Sequence, residues 1–290
     1  MTERFDRQMR FFGKEGQERI AASHVTIIGA GGLGSHVIQQ LALMGVGRLT
    51  LVDSEELAAT DLNRLVGARH DERIPGTAKV DIGVRLIASI NPAIEVEAIK
   101  DTLVSEAALS AVARADHVFG CLDSEGARLI LNEWCAAYSR PYLDLASDIL
   151  AGEPPSYGGR ICVAWNGDGC IVCLGILDIQ EAQEDLQGPA EREDRHAIYG
   201  VSPEALSRSG PSVVSLNGVV ASLAVTEFMV AVTGLRQPNR LMTYHGSTGK
   251  VTVSHDQPRT DCYYCKAIRG RGDSVNATRY IREGVGAYLR

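Results

Sequence analysis

The stretch His24-Val-Thr-Ile-Ile-Gly-Ala-Gly-Gly-Leu-Gly34 decides the fold. It begins with β-branched, apolar residues typical of a buried strand and ends in a glycine-rich turn that opens an apolar helix over residues 35–44. A second apolar strand over residues 48–52 is followed by Asp53, where a Rossmann unit places the acid that binds ribose. The sequence therefore predicts a nucleotide-binding βαβ unit. Its turn contains four glycines: Gly29, Gly31, Gly32 and Gly34.

Strands and helices continue to alternate up to residue 150, which predicts an α/β fold with a Rossmann-like, doubly wound sheet and helices on both faces. The predicted strands are 94–99 and 117–123, and the predicted helices are 80–90, 107–114 and 127–138. After residue 150 the pattern predicts antiparallel strands, including 160–165. A polar tract at 178–209 predicts a mobile crossover loop, and residues 210–232 predict a packed core helix.

Composition excludes several functional classes. With 45% hydrophobic and 22% charged residues, the 290-residue chain has the composition of a globular protein with a large core. A net charge of −7 argues against a general nucleic-acid binder, which needs basic residues to neutralise phosphates. The charged first residues do not match a signal peptide, and no apolar run reaches the roughly 18 residues of a membrane span. We therefore expect a cytoplasmic location, with neither nucleic acid nor membrane as a partner.

Seven cysteines fit metal ligands and buried thiols better than a disulfide framework. Four of them form two Cys-x-x-Cys pairs, Cys170/Cys173 and Cys262/Cys265. Each pair offers two thiolates from one turn, so that the two together can close a tetrahedral zinc site. Buried hydrophobic thiols or a redox pair are the alternatives, and zinc is favoured. Attack by a thiol of Cys121, Cys135 or Cys162 is an open alternative, but Cys121 and Cys135 lie in apolar strand and helix patterns, where we expect buried, inert thiols.

Two cations and an amide follow the ribose acid, namely Arg64, Lys79 and Asn63. Arginine offers a planar fork for phosphate oxygens and lysine a point charge, and an enzyme that adenylates its substrate needs both to bind a triphosphate. For either residue alone, a solvated surface charge is the favoured interpretation. Asp123 lies at the carboxyl end of a predicted strand, where ligands bind in open α/β sheets. It is either a Mg²⁺ ligand or the N-cap of the next helix.

These motifs, in this order, resemble the ThiF/MoeB/HesA and ubiquitin-activating enzyme superfamily. The resemblance covers nearly the whole chain and includes the segment 4–8, the glycine turn, residues 52–53 and 61–64, Lys79, residues 121–123 and both cysteine pairs. The outer positions Asp61 and Leu65 depart from the family's Asn-Leu-Asn-Arg-Gln pattern. We therefore expect one adenylation domain over residues 1–290. Residues 1–150 are its nucleotide-binding half, and residues 151–290 bind zinc and the substrate protein.

The resemblance also implies the roles of the site residues. The glycine turn and Asp53 hold adenosine, Asn63, Arg64 and Lys79 hold phosphates, Asp123 binds Mg²⁺, and the four paired cysteines hold structural zinc. The implied protein is a homodimer in which Arg7 reaches the ATP of the opposite subunit. Its implied substrate is a ubiquitin-like β-grasp protein, whose C-terminal glycine carboxylate attacks Mg-ATP to give acyl-AMP and pyrophosphate.

Later steps are predicted to need another protein. No cysteine occurs between Cys173 and Cys262, which leaves acyl transfer to a downstream thiol, sulfur-transfer or conjugating protein. An oxyester on a loop serine, activated by His196, is a weaker alternative. The candidate serines are Ser202, Ser207 and Ser209. Alternative functions are adenylation of a peptide or nucleoside, a non-catalytic scaffold subunit, and an NAD-dependent oxidoreductase.

Overall fold

Eight strands form one sheet in the residues that the computed structural model describes, which are 3–150, 152–187, 210–287 and 289. The strands are β1 (His24–Ile28), β2 (Arg48–Val52), β3 (Glu95–Ile99), β4 (His117–Gly120), β5 (Tyr142–Leu150), β6 (Ser156–Ala164), β7 (Leu241–His245) and β8 (Lys250–Val253). Their order in the sheet is β3-β2-β1-β4-β5-β6-β7-β8.

The first five strands are parallel, as β-branched runs joined by helical crossovers require. The order changes direction between β1 and β4, and at such a switch point the carboxyl ends of the strands leave a crevice for a ligand. Strands β6 to β8 then continue the sheet in antiparallel fashion. The predicted antiparallel extension is therefore present, and the sheet runs unbroken from one half of the chain into the other.

Helices cover both faces of the sheet, which confirms the predicted fold class. The α-helices in the described residues are α1 (Asp6–Ala22), α2 (Gly32–Met44), α3 (Lys79–Ile90), α4 (Glu106–Arg114), α5 (Glu125–Ala137), α6 (Ile179–Asp185), α7 (Val214–Thr233) and α8 (Arg279–Arg282). One core joins the sheet to α1, α2, α3 and α7, and a second core on the opposite face joins it to α4, α5, α6 and α8.

Helix α7 is long and apolar enough to cross a membrane by length and composition, and it is the one such helix in the described part of the chain. It packs against α1, α2, β5 and β6, with Val220, Ala221 and Phe228 fully buried. This environment agrees with the predicted core helix.

The polar tract at 178–209 is not a loop throughout. Its first part forms α6, whose Ala182 is fully buried. The helix is capped by Asp178, whose side chain accepts hydrogen bonds from two amides of the first turn. Helix α6 also packs on α5, since Asp185 accepts a hydrogen bond from the Gly126 amide at 2.9 Å. Residues 188–209 of the predicted loop lie outside the described residues, and so do His196, Ser202, Ser207 and Ser209.

Candidate functional site

The glycine turn joins β1 to α2 at the carboxyl edge of the sheet. Gly29 has a φ of 92°, and a Cβ there would lie 2.5 Å from the Cys121 carbonyl oxygen. A Cβ on Gly34 would lie 1.9 Å from the Gly29 carbonyl oxygen, so the turn closes on itself. No atom lies within 4 Å of the Cβ position of Gly31, the residue that precedes α2. The turn therefore exposes bare backbone at a helix N-terminus, where an anionic group can approach closely.

Asp53 is tied directly to this turn. Its Oδ2 accepts a hydrogen bond from the Ala30 amide at 2.7 Å, and its Oδ1 accepts one from the Glu55 amide at 2.8 Å. Burial raises the pKa of Asp53, and these two backbone hydrogen bonds and the charge of Lys79 oppose that rise. The structure thus brings Asp53 beside the glycine turn, as the spacing predicts, with each oxygen retaining a lone pair for a ligand hydroxyl.

Arg64 and Lys79 are joined through Asp61. This carboxylate is 3% exposed, lies 2.7 Å from Arg64 Nη2, and lies 3.4 Å from Lys79 Nζ. Lys79 is 7% exposed and also donates to Glu55. Burial lowers the pKa of Lys79, but the hydrogen bond from Lys79 to Glu55 and the charges of Glu55, Asp53 and Asp61 raise it above its ordinary value. Neither cation is a fully solvated surface charge, because both contact the buried Asp61 carboxylate.

Arg64 also covers the glycine turn. A Cβ on Gly32 would lie 3.3 Å from Arg64 Cδ and 2.5 Å from Asn217 Nδ2. Asn217, in the first turns of α7, is 1% exposed and accepts a hydrogen bond from the Ser147 hydroxyl at 2.7 Å. The position of Asn217 beside the glycine turn was not predicted from the sequence. The available signal was an amide in an otherwise apolar helix, a place where a buried polar group needs partners.

Asp123 and Asn63 are exposed. Asp123 lies two residues after Cys121, whose carbonyl faces Gly29 of the turn, and Asn63 directly precedes Arg64. Ser124, not Asp123, caps α5, because its hydroxyl accepts a hydrogen bond from the Ala127 amide at 3.2 Å. The N-cap alternative for Asp123 is therefore wrong. Among the described residues, the Asp123 carboxylate has neither a hydrogen-bond nor an ion-pair partner. An exposed, unpaired carboxylate after β4 fits the small number of protein ligands that Mg²⁺ takes beside substrate phosphates.

Arg7 is not brought to this site within one chain. Its neighbour Gln8 donates to the Met44 carbonyl at 2.8 Å, which places this part of α1 at the C-terminal end of α2. The glycine turn lies at the other end of that 13-residue helix, about 20 Å away at 1.5 Å per residue. Arg7 itself is exposed.

The two Cys-x-x-Cys pairs meet in one cluster. Their four sulfur atoms lie within 4.8 Å of one another, and all four residues are buried. The distance from Cys170 Sγ to Cys262 Sγ is 3.7 Å, and that from Cys173 Sγ to Cys265 Sγ is 3.8 Å. Tetrahedral zinc with Zn–S bonds of about 2.3 Å requires sulfurs about 3.8 Å apart, so the cluster fits zinc. The hydrogen bond from Cys170 lowers the pKa of Cys173, which favours one thiolate before any metal binds.

The three remaining cysteines do not offer a reactive thiol. Cys135 and Cys162 are almost fully buried, and Cys121 lies under the glycine turn. Burial raises the pKa of all three thiols, and Asp144 adds to the rise for Cys121 and Cys162. A thiolate is therefore disfavoured at each position, as expected for Cys121 and Cys135, and the structure adds Cys162 to them.

Substitutions of two turn glycines, Gly31 and Gly34, test ligand binding and stability of the fold separately. We expect Gly31→Ala to melt within about 2 °C of the wild type, because its new methyl group meets only open space. The same methyl group is expected to weaken ATP binding by about tenfold or more, since the resemblance implies that the nucleotide approaches this bare backbone. Thermal melting and ATP titration check both effects. Gly34→Ala is the contrasting control, because its clash with Gly29 should lower the melting temperature. Unchanged ATP binding by Gly31→Ala would contradict the expectation that the nucleotide binds against the exposed backbone at Gly31.

The fold and this site define a Rossmann-type protein whose sheet carries an antiparallel extension with a four-cysteine cluster that fits zinc. The ThiF family model matches residues 5–267, and the chain belongs to the ThiF family. This result confirms the resemblance found in the sequence and places the chain among ThiF/MoeB-type adenylyltransferases. It also favours an adenylating enzyme over the NAD-dependent alternative.

Curated relatives carry the same family names. "Protein HesA, vegetative" from Trichormus variabilis is 30% identical over 238 residues, which cover 81% of this chain and 78% of that protein. "Adenylyltransferase and sulfurtransferase MOCS3" from Drosophila willistoni is 27% identical over 274 residues, which cover 91% of this chain and 53% of that protein. The chain thus spans about half the length of this MOCS3 protein.

Solved structures of E. coli MccB share the fold. MccB with ATP superposes with a TM-score of 0.67 at 20% identity, covering 90% of this chain and 74% of MccB. MccB with MccA-N7isoASN gives a TM-score of 0.71 at 21% identity, and the match covers 91% of this chain and 74% of MccB.

Proposed function

We propose that this protein uses ATP to adenylate the C-terminal glycine carboxylate of a ubiquitin-like β-grasp protein. The observation that carries the proposal is the convergence of Asp53, Arg64 and Lys79 on the glycine turn, with Asp123 on the adjacent strand end. Family membership and the ATP complex of the structural relative MccB support ATP as the nucleotide.

In the proposed reaction a carboxylate oxygen of the substrate attacks the α-phosphorus of ATP. The new O–P bond forms as the bond to the β-phosphate breaks, and pyrophosphate leaves with the electron pair. No general base is required, because the carboxylate is already ionised at neutral pH. The protein contributes orientation and charge. Asp53 holds the ribose, and Asn63, Arg64 and Lys79 hold the phosphates as negative charge shifts toward pyrophosphate.

The charges at the site support a requirement for Mg²⁺. Acidic side chains outnumber basic ones around the turn. The basic residues are Arg64 and Lys79, and the acidic residues are Asp53, Glu55, Asp61 and Asp123. A strongly anionic triphosphate therefore needs further positive charge. Mg²⁺ supplies charge neutralisation when it is bound by substrate phosphates and Asp123.

Arg7 completes the proposed site from a second copy of the chain. Its position at the far end of α2 leaves it about 20 Å from the turn of its own chain, and its side chain is exposed. Action across a homodimer, as the family resemblance implies, accounts for an arginine that cannot reach its own nucleotide. The homodimer and a cytoplasmic location are part of this proposal.

Acyl transfer is proposed to take place on a downstream thiol, sulfur-transfer or conjugating protein. The described cysteines are either zinc ligands or thiols with raised pKa values, which supports this division of labour. A second candidate function keeps the adenylation but has a peptide or a nucleoside as the substrate. Solved structures of MccB in complex with forms of MccA support this second candidate.

ATP–pyrophosphate exchange tests the proposed activity. We expect exchange with the cognate ubiquitin-like protein, loss of exchange when its terminal glycine is removed, and a fall of about 100-fold or more in Asp123→Ala. A matched control is Glu95→Ala, which removes an exposed carboxylate at the first residue of β3, on the edge of the sheet opposite to the turn. Exchange with a peptide or nucleoside instead would favour the second candidate. ATP binding without exchange for any substrate would favour a scaffold subunit.

A further inference from the structure

A buried ion-pair network lies beneath the segment that presents Asp123. Asp144, which is fully buried on β5, pairs in register with Gly120 at the end of β4. Its carboxylate accepts hydrogen bonds from Tyr142 Oη at 2.8 Å, from Arg128 Nη1 at 2.9 Å, and from Arg160 Nη1. These four residues, Arg128, Tyr142, Asp144 and Arg160, are the Asp144 cluster.

Arg128 connects the Asp144 cluster to the Asp123 segment. It lies in the first turn of α5, is 5% exposed, and uses Nη1 for both Asp144 oxygens and for the Leu145 carbonyl. Its other terminal nitrogen, Nη2, donates to the Leu122 carbonyl. One planar guanidinium thus bridges the buried carboxylate and the peptide unit that leads directly into Asp123.

Burying this network of charged groups costs free energy. Desolvating an arginine and a carboxylate costs several kcal/mol per ion, and well-packed apolar residues often serve stability as well or better. A planar fork held by a fixed carboxylate does, however, define the position of a carbonyl more tightly than apolar packing does. The network lies next to the peptide unit that leads into Asp123, so this rigidity can fix the position of the Asp123 carboxylate.

We propose that Asp144 and Arg128 are positioning residues for Asp123. Asp144 fixes the Arg128 guanidinium, Arg128 fixes the Leu122 carbonyl, and the Asp123 carboxylate is thereby presented to a divalent cation on the nucleotide. This inference rests on the proposed function. Neither residue touches the nucleotide, so each affects the affinity for the cation through the geometry of Asp123.

The chain contains a matched control on the same helix. Glu133 of α5 is 1% exposed and accepts hydrogen bonds from Arg279 Nη2 at 2.6 Å and from Tyr280 Oη at 3.0 Å. This second network has the same chemistry, a buried carboxylate with arginine and tyrosine. It ties α5 to α8, however, and has no bond to residues 121–123 among the described contacts.

The test compares Asp144→Asn and Arg128→Lys with Glu133→Gln in the full chain. The first readout is Mn²⁺ binding to the complex with a non-hydrolysable ATP analogue, followed by electron paramagnetic resonance. The second is the Mg²⁺ concentration that gives half-maximal pyrophosphate exchange. We expect both quantities to show a loss of metal affinity of about tenfold or more in the Asp144 cluster variants. Glu133→Gln should lower the melting temperature and leave metal affinity within about twofold.

Two further measurements keep the inference falsifiable. Binding of the ATP analogue in EDTA should match the wild type in every variant, because the effect acts through the metal. If Asp144→Asn does not fold, Tyr142→Phe removes one hydrogen bond and keeps both ion pairs, and we expect about a threefold loss of metal affinity. Unchanged metal affinity in the folded variants would overturn the inference, as would an equal loss of nucleotide binding with and without metal. A wild type with neither metal-dependent nucleotide binding nor exchange would instead refute the proposed function.

Discussion

The double variant Cys262→Ser/Cys265→Ser is expected to lose one zinc ion per chain and to melt at least about 10 °C below the wild type. Structural zinc contributes about 10 kcal/mol or more to folding in small zinc domains. One kcal/mol corresponds to about 2–4 °C in a domain of 150–250 residues. Elemental analysis and thermal melting measure the two effects.

The location of the cluster explains why the loss should be large. Cys170 and Cys173 follow β6, whereas Cys262 and Cys265 follow β8, so the metal joins segments that are far apart in the sequence. Without metal, four buried thiols contact one another and contribute only weak interactions. Amide hydrogen exchange should therefore increase first in the segments that flank the cysteines, before the parallel sheet opens.

Cys135→Ala is the control for this prediction. Cys135 is 2% exposed in α5 and lies outside the four-sulfur cluster, so its loss costs packing but no metal ligand. The control should keep its zinc and lose only a few degrees. Full zinc content in the double variant, or a melting temperature equal to that of the control, would contradict a structural zinc site.

The parallel part of the fold could be predicted because its signals are local. Strands β1, β2 and β4 are short apolar runs, and β3 alternates polar and apolar residues. Their predicted boundaries agree with the observed ones within a few residues, whereas the fifth parallel strand, β5, which Asp144 and Asp148 interrupt, was not predicted. Strand β8 could not be predicted in this way. Its sequence Lys-Val-Thr-Val alternates polar and apolar residues, but all four residues are exposed, so the alternation corresponds to no buried face. Only pairing with β7 makes it a strand.

The buried charges at and near the site, and their partners, could not be predicted from the sequence. Asp61 departs from the pattern of the family, yet the structure gives it a 3% exposed position between Arg64 and Lys79. Asp144 interrupts an apolar strand and is fully buried because two arginines and a tyrosine from other positions surround it. Residue types and spacing identify candidate charges, but the partner that makes a buried charge tolerable is a tertiary contact.

Lys79→Ala is expected to lower the rate of pyrophosphate exchange by about 100- to 1000-fold, mainly through kcat. The lysine lies among Asp53, Glu55 and Asp61, which outweigh the opposing effect of burial and keep its pKa above the ordinary value. The ammonium group therefore stays charged throughout the neutral pH range. A fixed charge aimed at the departing pyrophosphate stabilises the transition state more than the bound substrate, and removing one such group typically costs this much.

Lys100→Ala distinguishes this role from a general charge effect. Lys100 pairs with Asp81 at 2.6 Å, but both side chains are about half exposed, so the pair contributes little to stability or to the field at the site. The control should exchange pyrophosphate at the wild-type rate, whereas Lys79→Ala leaves three carboxylates facing the phosphates without their common cation. A Lys79→Ala variant with normal kcat and a raised KM for ATP would show that Lys79 only binds the nucleotide. Lys79→Arg adds a further test, because a planar fork cannot reproduce the point contact with both Glu55 and Asp61, and we expect it to restore only part of the rate.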